Sequence, residues 1–241
     1  VQKQDELYSG NVSLLQKTKT EEKIYVKENK CYVDALASVT DIMDSSIIKE
    51  VIPDIREYLI LFGSRQIRNK ATLGGNIINA SPIGDLTNIF LSLDATLQLS
   101  KKDIIREIPL KEFFIDYKKL NKTDDEILTS VSFNILPKSS LFNYEKVSKR
   151  KYLDIASVNT SILIRTESDI IKDVHLSAGG VAPIPLYLKK TVEFLTSNFI
   201  SSDLLKEAAI IIDKEISPIS DVRGSEVYKR LLLRQLFYSH F

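Results

Sequence analysis

The chain has 241 residues, 44% apolar and 27% charged, with a formal net charge of +1. That suffices for one large domain or two modest ones with ordinary globular cores, without the basic excess of a bulk-charge nucleic-acid binder and without an apolar run near the roughly 18 residues of a membrane-spanning helix. Cys31 is the only cysteine and His175 and His240 the only histidines, which excludes an internal disulfide, a thiolate zinc site, a chain-borne iron–sulfur cluster and a His-rich metal centre. Any redox chemistry therefore needs an organic cofactor, and the low cysteine use fits a reducing cytosol.

Residues 1–22 are polar and irregular apart from an apolar patch at Val12, Leu14 and Leu15. IYVKENKCYVDA (24–35) reads as two strands joined by the turn-prone Glu28-Asn29-Lys30. In the stretch that follows, Asp41 or Ser45 is expected to cap helical segments. Pro53 either interrupts that pattern or opens a new helix, and Gly63 is placed to end it in a left-handed conformation. Leu86, Ile89, Phe90 and Leu93 recur at i, i+3, i+4 and i+7, the apolar face of a helix with Asp85 at its cap position. TLQLS (96–100) alternates as a strand and pairs with IIREIPL (104–110) across a Lys-Lys-Asp turn, and ILTSVSFNI (127–135) predicts a further strand. PKSSL (137–141) marks a boundary. Beyond it, strands are expected near 142–148, 157–166 and 170–178, then helices near 190–199, 202–215 and 224–239, the last capped by Asp221.

The chain has only eight glycines, yet Gly74, Gly75 and Gly84 fall within ATLGGNIINASPIGD (71–85), with Gly63 just upstream. Glycines let backbone amides approach a ligand closely, consecutive amides can form an anion nest, and a helix start adds favourable partial charge. Asn76, Asn79 and Ser81 supply polar side chains, and Arg65, Arg68 and Lys70 lie just upstream. A bulge or tight turn is the alternative. The window is neither a Walker loop nor a G-x-G-x-x-G fingerprint.

RNKATLGGNIINASPIGDL closely resembles the second FAD-binding segment of the flavoprotein components of molybdenum hydroxylases, the family of xanthine dehydrogenase, aldehyde oxidoreductases and carbon monoxide dehydrogenase. EKVSKRKYLDIASVN (145–159), LSAGGVAPIPLY (176–187) and DVRGSEVYKR (221–230) are similar to later segments of the same family. The resemblance implies an α+β fold: a vanillyl-alcohol-oxidase-type FAD-binding domain over residues 1–138, then an α+β C-terminal domain over 139–241 with a three-stranded antiparallel sheet and helices. It implies FAD as cofactor and NAD or another molecule as the electron acceptor. It also implies an iron–sulfur domain or subunit and a molybdopterin subunit as partners, a cytoplasmic setting, and no nucleic acid or membrane.

By motif matching, the segment Thr72, Leu73, Gly74, Gly75, Asn76 should wrap the FAD diphosphate and ribityl chain. Asp85 should hold a ribose or ribityl hydroxyl, Phe62 should pack near adenine or the ring system, and Ile78 should lie on the flavin face. Leu128 should touch the adenine end, and Lys146 should approach the polar edge of the flavin ring. An ammonium there raises the flavin's affinity for electrons, because reduction puts negative charge on that edge. No side chain is expected to act as a general acid or base. Read without the resemblance, Lys146 is a solvated lysine, Phe62 and Ile78 are core residues, and Arg65 and Arg68 form a solvated face or interdomain ion pairs. The family's first FAD loop, of the form Ala-Gly-Gly-Thr-Asp, normally stands just ahead of a segment like VQKQDELYSG. The chain is therefore expected to be a piece of a longer protein and to hold FAD weakly or not at all by itself. A flavin-less interaction subunit and a stand-alone vanillyl-alcohol-oxidase-like flavoenzyme are the alternatives.

Overall fold

The computed structural model describes residues 22–137 and 139–241. The patch at Val12, Leu14 and Leu15, and Lys138 of the expected boundary, lie outside them.

The chain opens with β1 (Ile24–Lys27) and β2 (Lys30–Asp34), an antiparallel hairpin. Glu28 and Asn29 turn it with φ of 51° and 63°, the left-handed pair that a two-residue hairpin needs. Four short helices follow: α1 (Val39–Asp44), α2 (Ser46–Val51), α3 (Ile55–Leu59) and α4 (Arg65–Arg68). Ser45 does cap α2, its hydroxyl accepting from the Ile48 amide. The cap of α1 is Ser38 rather than Asp41, which instead closes a reciprocal box by accepting from the Ser38 amide at 2.7 Å. Pro53 separates α2 from α3, and Gly63 is left-handed at φ 51°. Arg68 is half-buried and makes no ion pair among the described residues. Its guanidinium donates to the carbonyls of Ile60, Phe62 and Gly63 and so satisfies the turn after α3.

Next come α5 (Leu73–Ile78), α6 (Asp85–Ser92), β3 (Thr96–Lys101), β4 (Ile104–Pro109), the small hairpin β5 (Phe114–Asp116) and β6 (Lys119–Leu120), and β7 (Ile127–Asn134). The first sheet runs β1-β2-β7-β3-β4, antiparallel throughout. Leu128 and Val131 on β7 are three residues apart and would face opposite ways in a regular strand. A register shift between Gln98 and Leu99 on the partner strand turns both inward, Leu128 opposite Leu99 and Val131 opposite Leu97.

The remainder holds β8 (Ser140–Val147), β9 (Val158–Glu167), β10 (Ile170–Gly179), β11 (Leu186–Tyr187), α7 (Lys189–Leu195), α8 (Ser202–Glu215) and α9 (Glu226–Tyr238). The second sheet runs β11-β10-β9-β8, four antiparallel strands rather than the expected three. Pro183 and Pro185 bias their segment toward extended backbone and lay Leu186 and Tyr187 along the free edge of β10. Asp221 does not cap α9. Ser225 does, and Asp221 pairs with the buried Lys229 at 2.9 Å.

Helix α6 joins the two halves. Leu86, Ile89 and Phe90 pack into the first core, with Phe90 edge-on to Phe133 at 5.9 Å. The opposite face meets β9 and β10, so every residue from Leu86 to Ser92 is buried. No helix among the described residues is long and apolar enough to cross a membrane.

Candidate functional site

The Gly74-Gly75 part of the window folds as helix α5, not as an open loop. Thr72 caps α5, its hydroxyl accepting from the Gly75 amide at 3.1 Å. The Leu73 and Gly74 amides donate to the carbonyls of Ala37 and Ala35 at 2.9 and 2.8 Å, and the Asn76 amide to that of Thr72 at 3.0 Å. The expected nest of free amides is therefore corrected, since all four point at protein acceptors. Gly74 is required by packing: a Cβ there would sit 2.8 Å from the Ala35 methyl. Leu73 and Leu128 are buried in the first core, and Phe62 packs half-buried against it.

What α5 turns outward is a short polar and apolar strip. Gly75 is exposed and Ile78 is 38% exposed. Asn76 is oriented by Thr87, whose amide and hydroxyl donate to its Oδ1 at 3.1 and 2.9 Å. This leaves Asn76 Nδ2 without a protein partner among the described residues.

Asp85 opens α6 but makes no cap hydrogen bond there; Gly84 holds the cap position. The carboxylate turns instead toward β8 and β9. Its Oδ2 accepts from Lys146 Nζ at 2.7 Å, and its Oδ1 accepts from Tyr144 Oη at 2.6 Å and Asn159 Nδ2 at 2.7 Å. Asn159 also accepts from Asn88 Nδ2 at 3.1 Å, one turn along α6. Lys146 donates further to the Leu61 carbonyl at 3.2 Å. The pair is nearly dry, with 3% of the Lys146 side chain and 12% of the Asp85 side chain exposed. Burial, and then the Asp85 charge, push the Tyr144 phenol well above its usual range, so it remains a proton donor. Among the described residues, Asn88 Oδ1 is the one buried side-chain polar atom with no partner.

A cavity of about 440 Å³ lies at the end of the window. It is lined by Ser81, Pro82 and Ile83, by Tyr117 and Lys118 of the β5–β6 turn, and by Arg223. Buried Lys229 and its partner Asp221 also line it.

Of the sequence-derived residues, the structure joins Asp85 and Lys146 directly. It puts Thr72, Gly75, Asn76 and Ile78 on the exposed strip of α5, and holds Leu73, Gly74 and Leu128 inside. Sequence reasoning missed Tyr144 and Asn159. Tyr144 and Lys146 sit two apart on one strand and so share a face, but only the β8–β9 register reveals that Asn159 lies opposite Lys146. Cys31 is buried and its thiol is pushed up to about 12 by burial, leaving it inert near neutrality.

Residues 11–137 match the family described as FAD binding domain in molybdopterin dehydrogenase, and residues 143–241 the CO dehydrogenase flavoprotein C-terminal domain. The chain is 34% identical to xanthine dehydrogenase 1 of Arabidopsis thaliana over 194 residues, covering 77% of this chain but only 14% of that protein. It is 29% identical over 219 residues to the glyceraldehyde dehydrogenase medium chain of Sulfolobus acidocaldarius, covering 90% of this chain and 77% of that one. In fold it is similar to a carbon monoxide dehydrogenase chain of Hydrogenophaga pseudoflava, with a TM-score of 0.85 at 20% identity over 90% of this chain and 75% of that chain.

Proposed function

Because the chain belongs to the family of FAD-binding components of molybdopterin dehydrogenases, we propose that it is the FAD-carrying electron-transfer part of a molybdenum hydroxylase of the xanthine dehydrogenase type. In this reading it works in the cytoplasm beside an iron–sulfur domain or subunit and a molybdopterin subunit. Residues 1–138 form a vanillyl-alcohol-oxidase-type flavin domain and residues 139–241 the C-terminal domain. Electrons arrive from the iron–sulfur clusters and leave to NAD or another acceptor.

The observation that carries this reading is the buried Asp85–Lys146 pair at the end of the glycine window. The Lys146 ammonium has three donors and spends two, on Asp85 and on the Leu61 carbonyl. The remaining donor suits the polar edge of a flavin. The donor set fits the rest of such a cofactor: the Thr72 hydroxyl and Asn76 Nδ2 suit phosphate or polyol oxygens, and exposed Ile78 suits an apolar ring face. Phe62 packs nearby in the chain, while Leu73, Gly74 and Leu128 act through the core by fixing α5 and β7. When bound, FAD supplies reversible two-electron chemistry that no side chain here provides. The cavity beside Ser81–Ile83, with Lys118 and Arg223 on its walls, suits an anionic nucleotide as the acceptor.

The inward-turned amides of α5 favour one rival, a flavin-less interaction subunit. Purified full-length protein distinguishes them: stoichiometric FAD released on heating supports the flavin reading, and a colourless, stable protein refutes it. Gly75→Val puts a side chain against Thr72 Oγ1, 2.9 Å from the Cβ position, and across the exposed strip. It is expected to abolish FAD retention while far-UV circular dichroism stays native. Normal FAD content in that variant would count against the assignment.

A further inference from the structure

The three holds on Asp85 are not equivalent. Oδ2 meets only Lys146, whereas Oδ1 takes two donors, a phenol at 2.6 Å and a carboxamide at 2.7 Å. Tyr144 is 4% exposed and Asn159 fully buried, so water cannot stand in for either donor. The space for Asn159 is itself built in: a Cβ on Gly179 would lie 2.1 Å from Asn159 Oδ1. The arrangement does two things. It fixes the carboxylate so that a single oxygen faces the ammonium, and it draws negative charge toward Oδ1, since hydrogen bonds to a carboxylate are stronger than neutral ones. Both effects weaken the hold of Asp85 on the Lys146 charge.

We propose that Tyr144 is a positioning residue that sets how much of the Lys146 positive charge reaches the flavin, with Asn159 keeping the carboxylate in register. This rests on the flavin reading above. Without the phenol, the Asn159 carboxamide alone draws charge toward Oδ1, and Asp85 keeps more of its charge for Lys146. The ammonium field at the flavin edge is then more completely cancelled. Reduced flavin, which carries more negative charge at that edge, loses stabilisation relative to oxidised flavin.

The test is a spectroelectrochemical titration of the flavin in the full-length protein carrying Tyr144→Phe. FAD content should stay within about twofold of wild type. The preference for reduced over oxidised FAD should fall about tenfold, a midpoint potential about 30 mV more negative for a two-electron couple. Tyr58→Phe is the control: its ring meets Tyr144 edge-on at 5.7 Å, but its hydroxyl donates to Asn143. An unmoved or more positive potential in Tyr144→Phe overturns the inference, as does an equal shift in Tyr58→Phe. Loss of FAD in Tyr144→Phe alone also overturns it, because the hydroxyl would then serve retention. A wild-type protein that never takes up FAD refutes the proposed function and this inference together, whereas a loaded protein with an unmoved potential refutes this inference alone.

Discussion

On the side of the second sheet that packs with α7 and α9, the strands present Ile162, Ile164, Val174, Leu176 and Ala178, all buried and all apolar. On the side that faces α6, the same strands present Tyr144, Lys146, Asn159, Ser161 and Ser177, equally enclosed but polar. Strand alternation makes both surfaces from one sequence. The apolar side draws its stability from area removed from water, which tolerates small changes of shape. The polar side is worth little net, because each bond replaces one to water, but a missing partner leaves a stranded donor or charge. Buried polarity of this kind selects one orientation of α6 against the sheet, and that orientation is what presents Asp85 to Lys146.

The sharpest way to break the contrast is Asp85→Ala. It strands a lysine side chain that is 3% exposed and should cost about 3–5 kcal/mol, with loss of FAD, read by chemical denaturation and flavin content. On the apolar side, Leu176→Ala should cost a similar or slightly smaller amount, about 2–5 kcal/mol, yet leave FAD per folded molecule and its potential unchanged. If the two variants lost flavin equally, the two surfaces would not have separate jobs.

Acid tests the apolar side at a polar lock. His240 sits between Asn143 Nδ2, 3.0 Å from its Nδ1, and Thr160 Oγ1, 2.7 Å from its Nε2. Burial lowers its pKa from 6.5 to about 4. The folded state then resists a proton that the unfolded chain accepts. Its contribution is fully present above about pH 6.5, fades as pH falls, and levels off below about 4. The loss amounts to at most about 3 kcal/mol. Melting temperature against pH in wild type and His240→Gln should show the variant with the flatter slope between these limits. The smallest effect is expected from Ser161→Ala. It removes a 2.6 Å contact with Ser92, but Ser92 keeps its own bond to the Ile89 carbonyl, so the cost should be about 1 kcal/mol or less.

Much of this architecture is legible in the residues themselves. The alternation of β3 and the apolar period of α6 place those elements within a residue or two, because local pattern and tertiary burial agree there. The two-residue strand β11 and the β5–β6 hairpin are not legible: pairing across a sheet edge leaves no periodic trace in so short a run. Asp85 is ambiguous for a different reason. A carboxylate at a helix start satisfies the cap rule on paper, and only the arrival of Lys146, 61 residues later, gives it a stronger partner. The glycine pair likewise reads as a ligand loop until Ala35 is seen pressed against Gly74. The motif marks where Asp85 and α5 come together but not the direction of the α5 amides, which turn to protein acceptors.

The enclosure of α6 between both halves has a kinetic consequence. Its peptide groups can meet solvent only when the first core and the second sheet part company, so neither half can open far while the other keeps the helix covered. Deuterium uptake along Leu86–Ser92 should therefore follow whole-molecule unfolding, among the slowest in the chain, while the exposed turn at Glu28-Asn29 exchanges by local fraying.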